Sequence, residues 1–331
     1  RIIVDPFHGG AERSVADLRA LLKQVVGLDA ELAPTHYSPI GKRDTLIRLL
    51  NNIKIRALAD DDAARGAEII DRMIMIAPGA AFLLFEAGAC HAQTGNLIRA
   101  ATALEAFLVS FQRAVQALRR APFPVVAAVQ GLALGGGCEF SLAADARVAA
   151  AELRMGLVET KVGLIPGSGG CMEMARRGSD DILSAFNTVF AGGFSSNAFQ
   201  ARAWRMLDAE DEIVHGQGQL LPRAVSKLQE LLLSNYGPSA SHTVRVAGDD
   251  GLALLQQALE ERLKAGLIGE HDAVVGRALA RVMVGGVGAA RAMEEQAMLD
   301  LEREVFMELC ATEMTRARIE HMLKTGKPLR N

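Results

Sequence analysis

Val125-Val126-Ala127-Ala128-Val129, Gly131 and Leu134-Gly135-Gly136-Gly137-Cys138-Glu139-Phe140 form the most informative stretch of the chain. An apolar run introduced by Pro122-Phe123-Pro124 leads into three consecutive glycines and then into a helical pattern. The run is short enough to be a buried strand. The glycines permit a tight turn at which backbone can approach a ligand closely. The helix that follows opens with free N–H groups and its positive dipole end, which suits a phosphate or a developing oxyanion. Three glycines alone describe no more than a close-packed turn, so the weight falls on what surrounds them.

Downstream, Ala146-Arg147-Val148-Ala149-Ala150 reads as a second strand. A third extended stretch, Met155-Gly156-Leu157-Val158, delivers Glu159. Gly163-Leu164-Ile165-Pro166-Gly167-Ser168-Gly169-Gly170 then forms a loop that opens another helix. A helix around Ala198 to Trp204 leads towards a short strand at Glu212-Ile213-Val214. This alternation predicts an α/β class.

Upstream the texture is helical. After Ile2-Ile3-Val4 and the turn Asp5-Pro6-Phe7-His8-Gly9-Gly10, Ser14 is a plausible N-cap for a helix carrying Val15, Leu18, Leu21 and Leu22. Further helices are expected over about 42–58, with Leu46, Leu49, Leu50 and Ile53 on one face, over 63–76, ending before Pro78, and over 80–93. Another starts at Leu97, after the cap Thr94-Gly95-Asn96. The last two should pair antiparallel, with Gly88 and Ala89 where they cross, in the manner of a tetratricopeptide unit. The domain boundary is accordingly set near residue 108: a helical tetratricopeptide-like segment over 1–108, and an α/β domain over 109–331.

Composition excludes several classes. The formal charge of the 331 residues is -3, and one Trp and two Tyr are too few for a base-stacking platform, so no nucleic-acid role is expected. No apolar run is long enough to span a membrane. Cys90, Cys138, Cys171 and Cys310 are scattered without a CxxC pair and read as reduced thiols of a cytoplasmic protein. The seven histidines show no zinc-binding spacing, so no metal is expected. The opening at Arg1 rather than Met suggests a piece of something longer.

The sequence of strand, Gly135-Gly136-Gly137-Cys138-Glu139, spacer, Gly156-Leu157-Val158-Glu159 and Gly163-Leu164-Ile165-Pro166-Gly167-Ser168-Gly169-Gly170 resembles the central signature of the crotonase (enoyl-CoA hydratase/isomerase) superfamily. The resemblance runs from about Phe111 to Asn331. Gly269-Glu270-His271-Asp272, Leu301-Glu302-Arg303-Glu304 and the terminal stretch from His321 resemble the C-terminus of bacterial 3-hydroxyacyl-CoA dehydrogenases, whose last domain is a hydratase. It implies a crotonase-like ββα core, truncated, with a helical C-terminal extension. It implies catalytic roles for Glu139 and Glu159 and an oxyanion-donating N–H at Gly136. Leu134, Gly135, Gly137, Pro166 and Gly167 would bind substrate. The partner is an acyl-CoA, CoA being part of the substrate, and no other cofactor is needed. Homo-oligomers are implied as well. Residues 5–10, Arg43-Asp44, Leu49 to Lys54 and the helix pair resemble the C-terminal part of tetratricopeptide-bearing transglutaminase-like proteins. There Asp5 or His8 would be a remnant of a Cys-His-Asp arrangement, without a Cys nearby to act as nucleophile.

The chain departs from the hydratase pattern in one important respect. The strands and loop that supply the second oxyanion donor should precede the glycine turn, and helices stand there instead. Ala87-Gly88-Ala89-Cys90 superficially matches that loop, in helical surroundings. Val282-Met283-Val284-Gly285-Gly286-Val287-Gly288 has a GxG, but it follows a helical pattern and no second strand ending in an acid comes after it, so no NAD site is expected. The expectation is an enoyl-CoA hydratase of fatty-acid β-oxidation, impaired by what is missing. The alternative is a non-catalytic fusion whose tetratricopeptide-like helices bind a protein partner.

Overall fold

The structure, a computed structural model, describes residues 2–5, 9–234, 236–237 and 243–331. The chain forms two compact units, Arg1–Pro78 and Gly79–Asn331. Residue 108, where the texture of the sequence changes, lies inside an unbroken helix, because the helical periodicity begun at Leu97 continues to Arg119.

In the first unit β1 (Val4–Asp5) pairs antiparallel with β2 (Ala11–Glu12). Helix α1 (Val15–Val26) is capped by Ser14, whose hydroxyl accepts from the Asp17 N–H while Asp17 reaches back to the Ser14 N–H, a reciprocal capping box. Helices α2 (Lys42–Ala59) and α3 (Ala63–Ile76) pack on one another. Leu46, Leu49 and Ile53 share a face of α2 but remain 50%, 56% and 42% exposed. Asp5 is paired with Arg13 at 2.8 Å, and His8 lies outside the described residues.

The second unit opens with α4 (Ala81–Gln93) and α5 (Leu97–Arg119). They pack along their length, with Gly88 at the crossing, where a Cβ would sit 3.6 Å from the Ala100 carbonyl oxygen. Next come β3 (Val126–Val129), β4 (Leu132–Leu134), α6 (Gly136–Ala143), β5 (Ala146–Ala150) and β6 (Arg154–Gly156). A 3-10 turn over Glu159–Val162 precedes α7 (Gly170–Arg177), α8 (Ile182–Phe190), α9 (Ala198–Ala203) and β7 (Glu212–Val214). The C-terminal part holds α10 (Gln217–Leu233), β8 (Thr243–Val246), α11 (Gly248–Lys264), α12 (Glu270–Met283), β9 (Arg291–Glu294), α13 (Glu295–Cys310) and α14 (Glu313–Thr325).

The sheets are small. Strands β3, β5 and β7 run parallel in that order, β4 pairs parallel with β6, and β8 pairs antiparallel with β9. The α/β expectation therefore holds, with helices prevailing. One core joins Leu142, Met155, Leu157 and Ile165 to Met172, Phe186, Leu279 and Met298, all essentially inaccessible, and a smaller cluster gathers Val148, Val214, Leu220 and Ala224. Val282 and Met283 are the last residues of α12, and Gly285 and Gly286 form the turn that leaves it. Among the described residues no helix is long and apolar enough to cross a membrane.

Close approach of backbones explains Gly156. Its Cα lies under the 193–194 segment, so a Cβ would fall 2.2 Å from the Gly193 carbonyl oxygen and 2.7 Å from the Phe194 Cα. Neither atom is the end of a flexible side chain. Gly156→Ala should cost about 1–3 kcal/mol by overpacking, read from urea melts. A midpoint equal to the parent's would show that the segment yields freely.

Candidate active site

Strand β4 ends at Leu134, which pairs with Gly156 of β6. The Gly135 N–H donates to the Gly156 carbonyl at 2.9 Å. Gly135 then turns the chain with φ 53 and ψ -124, a conformation that favours glycine, and α6 starts at Gly136. Gly137 is exposed and a Cβ there would meet open space. Among the described residues no acceptor takes the Gly136 N–H, as expected for the first residue of a helix. The opening of α6 thus sets an N–H donor near a carboxyl group, because a Cβ on Gly135 would lie 2.9 Å from Glu159 Oε1.

Glu139 sits one turn into α6, 4% exposed. Its Oε1 accepts from the Ser168 N–H at 2.8 Å and the Gly170 N–H at 2.9 Å. Burial pushes this carboxyl up to about 6, and the Gly170 and Ser168 amides hold it down. Glu159 opens the 3-10 turn after β6, and its Oε2 is buried with no hydrogen-bond partner among the described residues. Burial first, and the negative charge of Glu139 second, push Glu159 up to about 8. The two acids therefore face one another electrostatically, and their proton affinities are driven apart.

The 163–170 loop works behind this pair. Pro166 and Gly167 are buried. Gly167 is walled by Phe306 and Leu108, and its carbonyl accepts from Gln112 Nε2 at 2.9 Å. Their place in the structure is against α5 and α13, supporting the turn that grips Glu139. Of the expected set, Gly135 borders Glu159, while Gly136 lies against Phe111 and Gly137 faces open space.

Several participants have no signature in the sequence. Phe111 of α5 lies on the glycine turn, where a Cβ on Gly136 would be 2.7 Å from its Cζ, and its ring meets Phe140 edge-on at 5.0 Å. Glu302 of α13 is fully buried and accepts from the Gly169 N–H at 2.6 Å and the Met172 N–H at 3.2 Å. Ala87-Gly88-Ala89-Cys90 lies within α4, so its amides serve the helix and not an oxyanion. A cleft of about 750 Å³ between α5 and α13, bordered by Gln112, Arg113, Gln116 and Arg303, touches neither catalytic candidate.

Residues 84–186 match the family model of enoyl-CoA hydratase/isomerase, and residues 1–51 match that of the transglutaminase-like superfamily. The sequence is 38% identical over 229 residues to a protein of Bacillus subtilis (strain 168) named "Probable 3-hydroxyacyl-CoA dehydrogenase", with 67% of this chain covered. The chain spans 29% of that relative's length. Among solved structures, an enoyl-CoA hydratase from Mycobacterium avium subsp. paratuberculosis K-10 aligns at 19% identity and TM-score 0.43, over 68% of this chain and 72% of that one. A carnitinyl-CoA hydratase from Mycobacterium avium aligns at 23% identity and TM-score 0.38, over 62% of each chain. The chain thus carries a crotonase-type domain segment and is homologous to a 3-hydroxyacyl-CoA dehydrogenase, as the residues around Gly135 to Glu159 and the tail had suggested.

Proposed function

We propose that this protein adds water to 2-enoyl-CoA thioesters, with Glu139 as general base and Glu159 as general acid. The observation that carries this reading is the pair itself: Glu159 beside the start of α6 and Glu139 one turn into the same helix, the first pushed up to about 8 and the second to about 6. At neutral pH Glu139 is ionised and Glu159 protonated, the division of labour that a hydration needs.

In this mechanism the Glu139 carboxylate takes a proton from water as the oxygen bonds to C3. The C2–C3 π electrons move into the thioester, whose oxygen becomes an enolate beside the Gly136 N–H. Glu159 then gives its proton to C2. Water has been added across the double bond, and proton exchange with solvent restores both acids. A donor preorganised at the enolate oxygen is worth about 10²–10³ in rate in comparable sites. CoA arrives as part of the substrate, and no step calls on another cofactor. Leu134, Gly135 and Gly137 border the reacting acyl group in this reading.

The test is the loss of the enoyl absorbance of crotonyl-CoA as a function of pH. The base must be ionised and the acid protonated, so kcat/KM should rise through about 6 and fall through about 8. No turnover by the folded protein anywhere between these limits would sink the hydratase reading. A second, non-catalytic reading is favoured by α4, whose helical amides occupy the part of the chain where the family match begins. It keeps thioester binding without hydration and leaves the N-terminal helices to hold a protein partner.

A further inference from the structure

We propose that Glu302 is the positioning residue for Glu139: from α13 its buried carboxyl grips the same turn that grips the base. This rests on the reading of Glu139 as the base. Four amides along the 168–172 turn are divided between the two acids. Ser168 and Gly170 donate to Glu139, and Gly169 and Met172 donate to Glu302. Alternate N–H groups thus point to opposite sides, and the turn is held between two carboxyls like a rung. Neither grip is local. Glu139 and Glu302 lie 29 and 130 residues from their nearest donors in the turn, Ser168 and Met172. The turn has little freedom in any other direction. Gly170 sits against Pro166 and Leu157, Gly167 against Phe306 and Leu108, and Gln112 ties the Gly167 and Leu299 carbonyls together.

The consequence for the base is electrostatic as well as geometric. Glu139 is kept from rising further by the Ser168 and Gly170 amides. Those amides stay aimed at it only while the turn is fixed from behind. The groups facing Glu139 are Glu159 from the 3-10 turn, Glu302 from α13, Cys138 on its own helix and Cys171 on α7, with Arg177 further along α7. Burial, and then Glu139, push Glu302 well above the ordinary carboxyl range. Glu302→Gln keeps the size of the side chain and turns one acceptor into a donor that opposes an amide of the turn.

The experiment follows the Glu139 carboxyl by ¹³C NMR titration in the parent, E302Q and E302D, with E139Q identifying the resonance, beside crotonyl-CoA kinetics and thermal melts. In E302Q the Glu139 midpoint should move up by about one pH unit as the two amides lose their aim. The acidic limb of kcat/KM should move with it, while KM for crotonyl-CoA stays as in the parent. E302D, which keeps the acid but withdraws it, should move Glu139 in the same direction by less. A folded E302Q or E302D in which Glu139 titrates as in the parent overturns the proposal. Loss of fold in both variants also overturns it, in favour of a purely structural role. If the parent itself does not hydrate crotonyl-CoA while the NMR midpoint still moves, the hydratase reading fails and the positioning of Glu139 by Glu302 stands.

Discussion

Glu139→Gln and Glu159→Gln should each lower crotonyl-CoA hydration by about 10²–10⁴-fold, the usual value of a positioned acid or base. The two variants are well controlled. A glutamine at 139 keeps an oxygen for the Ser168 and Gly170 amides, so the turn persists while the base is lost. A glutamine at 159 keeps the shape of the side chain and removes the acid. The second variant has a separate signature in stability. Glu159 rises from an ordinary 4.5 to about 8 in the folded protein. A carboxyl raised in this way favours the folded state fully below its unfolded value, and that stability is lost as pH rises through about 8. Glu159→Gln has no such loss and should melt several degrees above the parent at pH 9, by an amount that shrinks towards pH 5. A Glu159→Gln protein that is dead but melts like the parent at every pH would mean that the carboxyl is not held in its protonated form. One that turns over normally would remove Glu159 from the mechanism.

Glu173→Ala should be the most destabilising single change outside the site. Glu173 is 2% exposed at the centre of a ring formed by Arg119, Arg176 and Arg177. Burial pushes its carboxyl up, and Arg176, Arg119 and Arg177 more than reverse this, leaving it below the ordinary carboxyl range. Arg119 also pairs with Glu295, and Arg177 with Asp208, so the ring ties α5, α7 and α13 together. Removing the central anion leaves guanidinium groups facing each other in a water-poor place, at a cost of about 3–5 kcal/mol. Thermal melts should fall on the order of 10 °C for a unit of this size. The sign of the pH dependence follows from the lowered carboxyl. Its stability is present above the unfolded value near 4.5 and is lost as pH falls through the lower folded value, so the gap between parent and variant should close in acid. A melting temperature within about 2 °C of the parent's would show that the ring contributes little.

The chain reached the structure with most of its elements readable. The 63–76 helix, the start of α5 at Leu97 and the Ala146–Ala150 strand stand where apolar period, caps and prolines place them. Ser14 caps α1 through a reciprocal pair set by residues three apart. The glycine turn was legible because it depends on neighbours within a few residues, and the two acids were singled out by the resemblance alone. Local pattern misleads where burial needs a partner. Leu46, Leu49 and Ile53 share a face of α2 and remain exposed, because period describes a face and says nothing of what covers it. The change of texture near residue 108 and the compact units follow different physics. The first marks a change in family resemblance, while compactness depends on packing, and α5 packs with both α4 and α6.

What short stretches could determine was which residues turn, which cap and which carry acid: a strand, three glycines, Glu139 at the start of a helix and Glu159 at the end of an extended run. Tertiary structure alone decided what each acid meets. Glu139 finds its two amides 29 and 31 residues on, Glu302 reaches the same turn from 133 residues away, and Phe111 covers Gly136 from another helix. These contacts set burial, and burial sets proton affinity. A carboxyl's affinity for its proton depends on the solvent it loses and the charges it gains, and both come from parts of the chain brought close only by folding.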